Sequence, residues 1–377
     1  MRPVRAVAAC VLAASMLTLT ASVLPASGEV GSVYYSRFPV SPDPTGTLWV
    51  AASDGSSDEQ LLANAYWPRL SPDGRYLLFL RDGSASNAAF NADIWIRDLQ
   101  TNMDTKIRDN SGDYIVNFDF TPDSKHIVFD YSCSINKINL DGSGETAAVS
   151  GTNCYDDEPA ISTADGSIAF HNSFAGIMLA DANGTNRHQV PNTKPNDIEP
   201  AWSADGQWIS FRRYAGAATG NALWKIHPDG TGLTPLGAVC GSNTLNTARA
   251  WTPDGNYVIA PGTIAGIDGL YAVATDGSGA FLQIEISAGA DPEWVGSAAG
   301  NILGSPVVSC CGDVNVSGSL TASDALLVLK AAVGSDVCPL LPCICDTNGN
   351  GTITASDALA VLRRAVGQDN ALACHCS

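Results

Sequence analysis

Five times along the chain, an apolar or aromatic position precedes a tight Asp-centred turn and then a strand-like apolar run. The segments read LSPDGRYLLFL from Leu70, FTPDSKHIVFD from Phe120, ISTADGSIAFH from Ile161, WSADGQWISFR from Trp202 and WTPDGNYVIAP from Trp251. Their turn aspartates, Asp73, Asp123, Asp165, Asp205 and Asp254, are spaced by 50, 42, 40 and 49 residues. Each turn suits a β-hairpin, because glycine accepts positive φ and aspartate bonds its own backbone. A repeat of roughly 40–50 residues with strand signals predicts propeller blades rather than helical repeats.

A second hairpin completes each unit. Its first strand is short and apolar, near Leu48, Ile94, Ile135, Ile177, Leu223 and Leu270. Polar turns follow most of these, at Asp54-Gly55, Asp141-Gly142, Asp229-Gly230 and Asp276-Gly277. Six such strands against five first hairpins leave one blade incomplete. Ala290 to Trp294 reads as the missing first strand, with Ala299 to Leu303 as a further one. The prediction is a mainly β fold, a ring of six four-stranded blades. C-terminal strands would complete the N-terminal blade and protect the edges that a linear array exposes.

The pattern changes from Cys310. Asp313 to Gly334 aligns with Asp346 to Gly367 at an offset of 33, and 11 of the 14 positions from Thr321 to Gly334 are identical to their counterparts. Each copy reads as a twelve-residue calcium loop, with oxygen ligands at positions 1, 3, 5, 7, 9 and 12. In the first copy these are Asp313, Asn315, Ser317, the carbonyl of Ser319, Thr321 and Asp324. In the second they are Asp346, Asn348, Asn350, the carbonyl of Thr352, Thr354 (through water) and Asp357. Gly318 and Gly351 stand where the loop turns sharply, and apolar Leu320 and Ile353 are placed to tie the loops together. A helix is expected after each loop, with Leu326, Leu329 and Val333, and Leu359, Leu362 and Val366, on its apolar stripe. Gly334 and Gly367 end these helices. Two Ca2+ sites follow.

Composition narrows the functional class. The 377 residues carry 20 basic and 38 acidic side chains, a net charge of −18, which argues against a nucleic-acid binder. Arg2 and Arg5 precede an uncharged apolar run from Ala6 to Leu24 and the small residues Ala26-Ser27-Gly28. That is the build of a secretory signal peptide over residues 1–28. Two rival readings carry less of the pattern. The run is barely long enough for a membrane anchor, and Cys10 stands too early in it for lipid attachment. The expected locale is extracellular or at the cell surface, with the periplasm as the alternative.

The propeller units resemble the TolB-type six-bladed repeat, D-x-x-P-x-W-S-P-D-G-x-x-I-x-F, best matched from Asp197 to Gly206. This resemblance spans about residues 33–304 and places the propeller over 30–305. The two loops resemble dockerin type I repeats, with Asp rather than Glu at position 12 and no helix ahead of each loop. That resemblance spans about 312–370 and places a Cys-rich, calcium-binding module over 306–377. It implies two calcium ions and docking onto a cohesin module of a partner protein. Its partner-reading positions fall on Ala322-Ser323 and Ala355-Ser356, where the best-known cellulosomal class has Ser-Thr, with Leu362, Arg363 and Arg364 beside them. The near-identity of the copies implies two binding orientations related by a half-turn.

Export permits disulfides. Cys133 lies in a turn between strands, and Cys154 and Cys240 lie in loops leading into the next blade, all on one face of the ring. Cys133–Cys154 is the expected bridge, with Cys240 free or joined to the C-terminal module. Cys343-x-Cys345 and Cys374-x-Cys376 are spaced too tightly for the usual zinc motif, which favours disulfides there.

No catalytic apparatus stands out in the ring. There is no G-x-S-x-G elbow and no H-x-x-x-H spacing, and His126, His171, His188 and His227 fall on different blades. Trp202, Trp208, Trp224 and Trp251 fall at repeat positions and read as core. Glu158, Glu199 and Glu293 share a register just before a first strand, on one face, and are candidates for a pocket lining. The reading is a secreted binding platform for a protein, peptide or glycan, with no catalytic residue assigned. Dockerins commonly accompany polysaccharide-degrading domains, so a lyase or glycosidase is the alternative. A structural surface protein is a third.

Overall fold

The Asp-Gly turns close hairpins in the computed structural model. In the fifth blade, Ser203 Oγ donates to Asp205 Oδ1 at 2.6 Å, the Gln207 N–H donates to the same oxygen at 3.0 Å, and Gly206 turns the chain at φ 69°. The structure describes residues 31–37, 46–82, 92–109, 115, 117–214, 221–236, 244–245, 250–264, 267–277, 280–284, 292–299, 308–309, 312, 314, 320–335, 345–348, 350–368 and 372. The segment read as a signal peptide, Cys240, Asp313, Asn315, Ser317 and Ser319 lie outside the described residues.

Six antiparallel sheets form the blades. The second blade runs outward through Tyr66–Leu70, Tyr76–Asp82, Ala92–Asp98 and Met103–Arg108, and the third through Phe118–Phe120, His126–Tyr131, Ser134–Asn139 and Thr146–Ala147. The fourth comprises Asp156–Ile161, Ile168–Asn172, Gly176–Ala180 and His188–Gln189, and the fifth Asp197–Trp202, Ile209–Tyr214, Asn221–Ile226 and Thr234–Leu236. The inner strand of the sixth is split into Thr244–Leu245 and Ala250–Trp251, both paired with Tyr257–Ile264, and Ile267–Ala274 and Ala280–Ile284 follow. Val308–Ser309 adds a further outer strand there.

The first blade closes the ring. Its strands Ser32–Arg37, Thr47–Ala52 and Asp58–Ala63 receive Pro292–Ala299 from the far end of the chain as their innermost strand. Tyr35 stands opposite Val295, and Ser32 opposite Ala299. One C-terminal strand performs the closure, where the sequence suggested more than one. Ala299 ends that strand, and residues 301–303 lie outside the described residues.

Burial explains why the blades stay together. Each hydrophobic cluster of the ring joins two neighbours. Val128 and Ile135 of the third blade pack with Ile161 and Phe170 of the fourth. Ala201 and Leu223 of the fifth pack with Trp251 and Val273 of the sixth. Val33 and Tyr35 of the first pack with Ile259 and Leu270 of the sixth, across the closure. Trp251 is buried, while Trp202, Trp208 and Trp224 are half-buried and pack against these clusters.

Arginines cover the aromatic side chains of several blades. Arg37 lies 3.7 Å over Trp49 and pairs with Asp58. Arg108 lies 3.7 Å over Tyr131 and pairs with Glu145 at 3.0 Å. A planar guanidinium can stack on a ring and hold a carboxylate at once.

The C-terminal module contains two helices, α1 (Ala322–Ala332) and α2 (Ala355–Ala365). They pack through Ala325, Val328, Ala358 and Val361, with Cys345 fully buried among them and Leu320 and Ile353 against the same core. Gly334 and Gly367 end the helices at φ 88° and 78°. The Ser335 N–H then reaches back to the Lys330 carbonyl at 3.0 Å, as in a Schellman motif. Among the described residues, no helix is long and apolar enough to cross a membrane.

Candidate functional site

The second loop of the C-terminal module is built around buried carboxylates. Asp346 precedes the turn and is 6% exposed. Its Oδ1 accepts the Asn350 N–H at 3.1 Å, and its Oδ2 accepts the Gly351 N–H at 2.6 Å. Gly351 adopts φ 83°, which a side chain would strain. Asn348 Oδ1 also accepts the Asn350 N–H, and Asn350 Oδ1 accepts the Thr352 N–H at 2.9 Å.

Asp357 closes the loop from the first turn of α2. It is fully buried. Its Oδ1 accepts the Asn348 N–H at 3.1 Å, and its Oδ2 accepts the Thr354 N–H at 2.9 Å. Asp357 therefore caps the helix and faces the loop at once. In the first copy, Asp324 is also fully buried and accepts the Thr321 N–H at 2.9 Å.

This donor set fits a calcium ion. Asp346 and Asp357 are carboxylates removed from water, and no basic side chain pairs with either among the described residues. Buried anions without a cation are costly. Hard oxygen donors on a flexible loop suit Ca2+.

The apolar stripe of each helix points away from the core. Leu326, Leu329 and Val333 are 52%, 42% and 77% exposed, and Leu359, Leu362 and Val366 are 47%, 39% and 66% exposed. The core takes the narrower Ala-Val stripe one position away instead. Ala322, Ser323, Ala355, Ser356, Arg363 and Arg364 are exposed as well. The two helices thus present matching apolar faces edged by small residues, with two arginines beside the face of α2. Exposed apolar area of this kind marks an interaction surface.

In the propeller, Glu158 and Glu199 lie within inner strands, not before them, and Glu293 stands in the closing strand. Glu158 and Glu199 occupy equivalent bulges at φ 56° and 58°, where two residues oppose one on the next strand. Glu158 Oε2 accepts the Glu199 N–H from the next blade at 2.5 Å. Glu199 in turn pairs with Arg212 at 2.8 Å.

His171 joins this rim, which its position in the sequence does not reveal; it shares the fourth blade with His188, where the sequence suggested that the four histidines fall on different blades. Its Nδ1 lies 2.7 Å from Asp157 Oδ1, and its Nε2 lies 3.1 Å from the Pro195 carbonyl. Burial disfavours the imidazolium, but the hydrogen bond and charge of Asp157 outweigh it and hold the His171 pKa above its ordinary value. Cys133 and Cys154 form a disulfide between the third blade and the loop entering the fourth. A central cavity of about 390 Å3 runs along the inner strands, lined by Arg69, Asp119, Phe120, Pro200, Trp202 and Trp251 among others.

Comparison with known proteins places both parts. Residues 311–366 match the Dockerin type I domain family. A stretch of 101 residues is 31% identical to the Tol-Pal system protein TolB of Desulfosudis oleivorans, covering 26% of this chain and about a fifth (20%) of that relative. Among solved structures, TolB from Acinetobacter baumannii aligns at a TM-score of 0.56 and 14% identity, over 74% of this chain and 68% of that one. The nidogen/laminin complex aligns at a TM-score of 0.52 and 8% identity, over 72% of this chain and 98% of that one. At such identities the likeness is one of fold. The chain combines a TolB-like six-bladed propeller with a C-terminal dockerin type I domain. Dockerin type I domains bind calcium and dock onto cohesins.

Proposed function

We propose that the chain is an exported, non-catalytic binding platform whose dockerin delivers the propeller to a cohesin-bearing partner in a calcium-dependent way. The matching exposed faces of α1 and α2 carry this reading. Leu326, Leu329 and Val333 on one helix, and Leu359, Leu362 and Val366 on the other, leave water only against a partner. Ala322, Ser323, Ala355 and Ser356 would edge the contact, with Arg363 and Arg364 at its rim. The near-identity of the faces supports docking in either of two orientations.

Calcium would be held in the second loop by Asp346, Asn348, Asn350, the Thr352 carbonyl, Asp357 and a water on Thr354. In the first loop it would be held by Asp313, Asn315, Ser317, the Ser319 carbonyl, Thr321 and Asp324. The ion supplies the positive charge that organises each loop. Asp324 and Asp357 link that charge to the helix starts, and so to the docking faces. Domain limits of 1–28 for the signal peptide, 30–305 for the propeller and 306–377 for the dockerin belong to the same proposal, with Val308–Ser309 pairing back onto the sixth blade from beyond the second limit. The test is binding of the full chain to a panel of immobilised type I cohesins, in calcium and then in chelator. Saturable binding that chelator reverses supports the proposal. Binding to no cohesin in the panel contradicts it.

A further inference from the structure

We infer that Asp157, Glu158 and His171 form a binding site for one divalent transition-metal ion of the zinc class, at the inner rim of the fourth blade. This goes beyond the calcium loops and the docking surface. One ligand atom from each residue lies within 4.8 Å of the other two. The fold brings them together from two strands. Asp157 stands directly opposite His171 in the hairpin register, and the bulge that follows at Glu158 turns the next carboxylate back towards the same point.

A second observation fixes which nitrogen of the histidine faces the cluster. The Pro195 carbonyl can only accept, so Nε2, at 3.1 Å from it, carries a hydrogen. Nδ1 is left facing Asp157 Oδ1 at 2.7 Å. Two acceptors at that distance need a cation between them, a proton or a metal. A backbone carbonyl holding the far N–H is how metal-bound imidazoles are oriented in general. Pro195 lies on the loop into the fifth blade, outside the cluster, so the orientation does not depend on the carboxylates.

The ligand chemistry selects the metal class. One imidazole and two carboxylates suit zinc and its neighbours better than calcium, which takes six or more oxygens. Ligand atoms around a tetrahedral zinc lie about 3.4 Å apart. Asp157 is about a third exposed (35%) and can open its 2.7 Å contact by a small side-chain rotation, while His171 (10%) is held by its surroundings. Glu158 is anchored by the Glu199 N–H on one oxygen. The ion would replace the proton between Asp157 and His171 and keep a water at its solvent side.

Calorimetric titration of zinc into the full chain tests this. The protein is saturated with calcium, and its free thiols are alkylated so that cysteines do not compete. A single saturable zinc event is expected. His171→Ala, and separately Asp157→Asn, which preserves shape, should weaken it by at least about tenfold, a loss that even outer-shell changes produce. Cobalt in place of zinc should give ligand-field bands that His171→Ala abolishes. Absence of saturable zinc binding in the wild type overturns the inference, as does an isotherm unchanged by both variants. The cluster would then be a proton-bridged His–Asp pair alone.

Discussion

Val328 and Val361 stand at the same turn of α1 and α2, 33 residues apart, and both are fully buried in one shared core. Their burial fixes which face of each helix looks inward. Val361→Ala should therefore destabilise the dockerin by about 2 kcal/mol through lost burial and a cavity. Leu362→Ala, one residue further on, should change stability by less than about 0.5 kcal/mol. Differential scanning calorimetry of the full chain separates the two. Equal losses would mean that the leucine stripe is packed.

Asp357 serves the helix and the loop together, whereas Asp346 serves the loop. Asp346→Ala should reduce the calcium-induced rise in melting temperature, leaving the share that the first loop supplies. Asp357→Ala should reduce it as well, and should also cost about 1 kcal/mol in chelator through the lost capping box. Melts of both variants with and without calcium check the difference. A normal calcium response in Asp346→Ala would rule out the second loop as described.

Single substitutions in one docking face should be tolerated if either face can serve. Leu326→Asp or Leu359→Asp alone should weaken cohesin binding by less than about tenfold. The double variant should lose it, because a buried unpaired charge at the contact costs several kcal/mol. Surface plasmon resonance against a cohesin that binds the wild type provides the measurement. A complete loss from one single variant would show that the faces are not equivalent.

The propeller depends on a buried ion pair at the start of its fifth blade. Asp197 is fully buried and takes both Arg213 Nε at 2.6 Å and Nη2 at 2.7 Å, as well as the Lys194 N–H. Asp197→Ala leaves the guanidinium without its partner and should cost about 3–5 kcal/mol. Chemical denaturation should show it, and a shift below about 1 kcal/mol would mean that solvent reaches Arg213.

The Cys133–Cys154 bridge joins residues 21 apart in sequence. The paired change to serine should lower stability by about 3 kcal/mol, chiefly by freeing the unfolded chain. Urea unfolding under oxidising conditions checks this. Equal stability of the variant and the wild type would make the bridge dispensable.

Much of the ring was legible because its punctuation is local. The turns at Asp73 to Asp254 need only a few residues to form, and their spacing counts the blades. The closing strand was less so, since nothing near Pro292 states that its partner is Ser32–Arg37. The helix faces were harder still. Periodicity marked Leu326, Leu329 and Val333 as the apolar stripe but could not say whether protein or water covers it. Glu158 stood out by its register as a pocket candidate, but its meeting with His171 stayed hidden, because a bulge shifts the register between Asp157 and Ala160 and no pattern of residue types announces it. The arginine stacks over Trp49 and Tyr131 join residues on different strands, invisible to a linear reading.

Calcium titration of the metal-free full chain by calorimetry tests most directly the proposed organisation of the dockerin by two calcium ions. Two binding events are expected, with Asp313→Ala and Asp346→Ala each removing one. No calcium uptake by the oxidised chain, or heats unchanged in the double variant, would contradict that proposal.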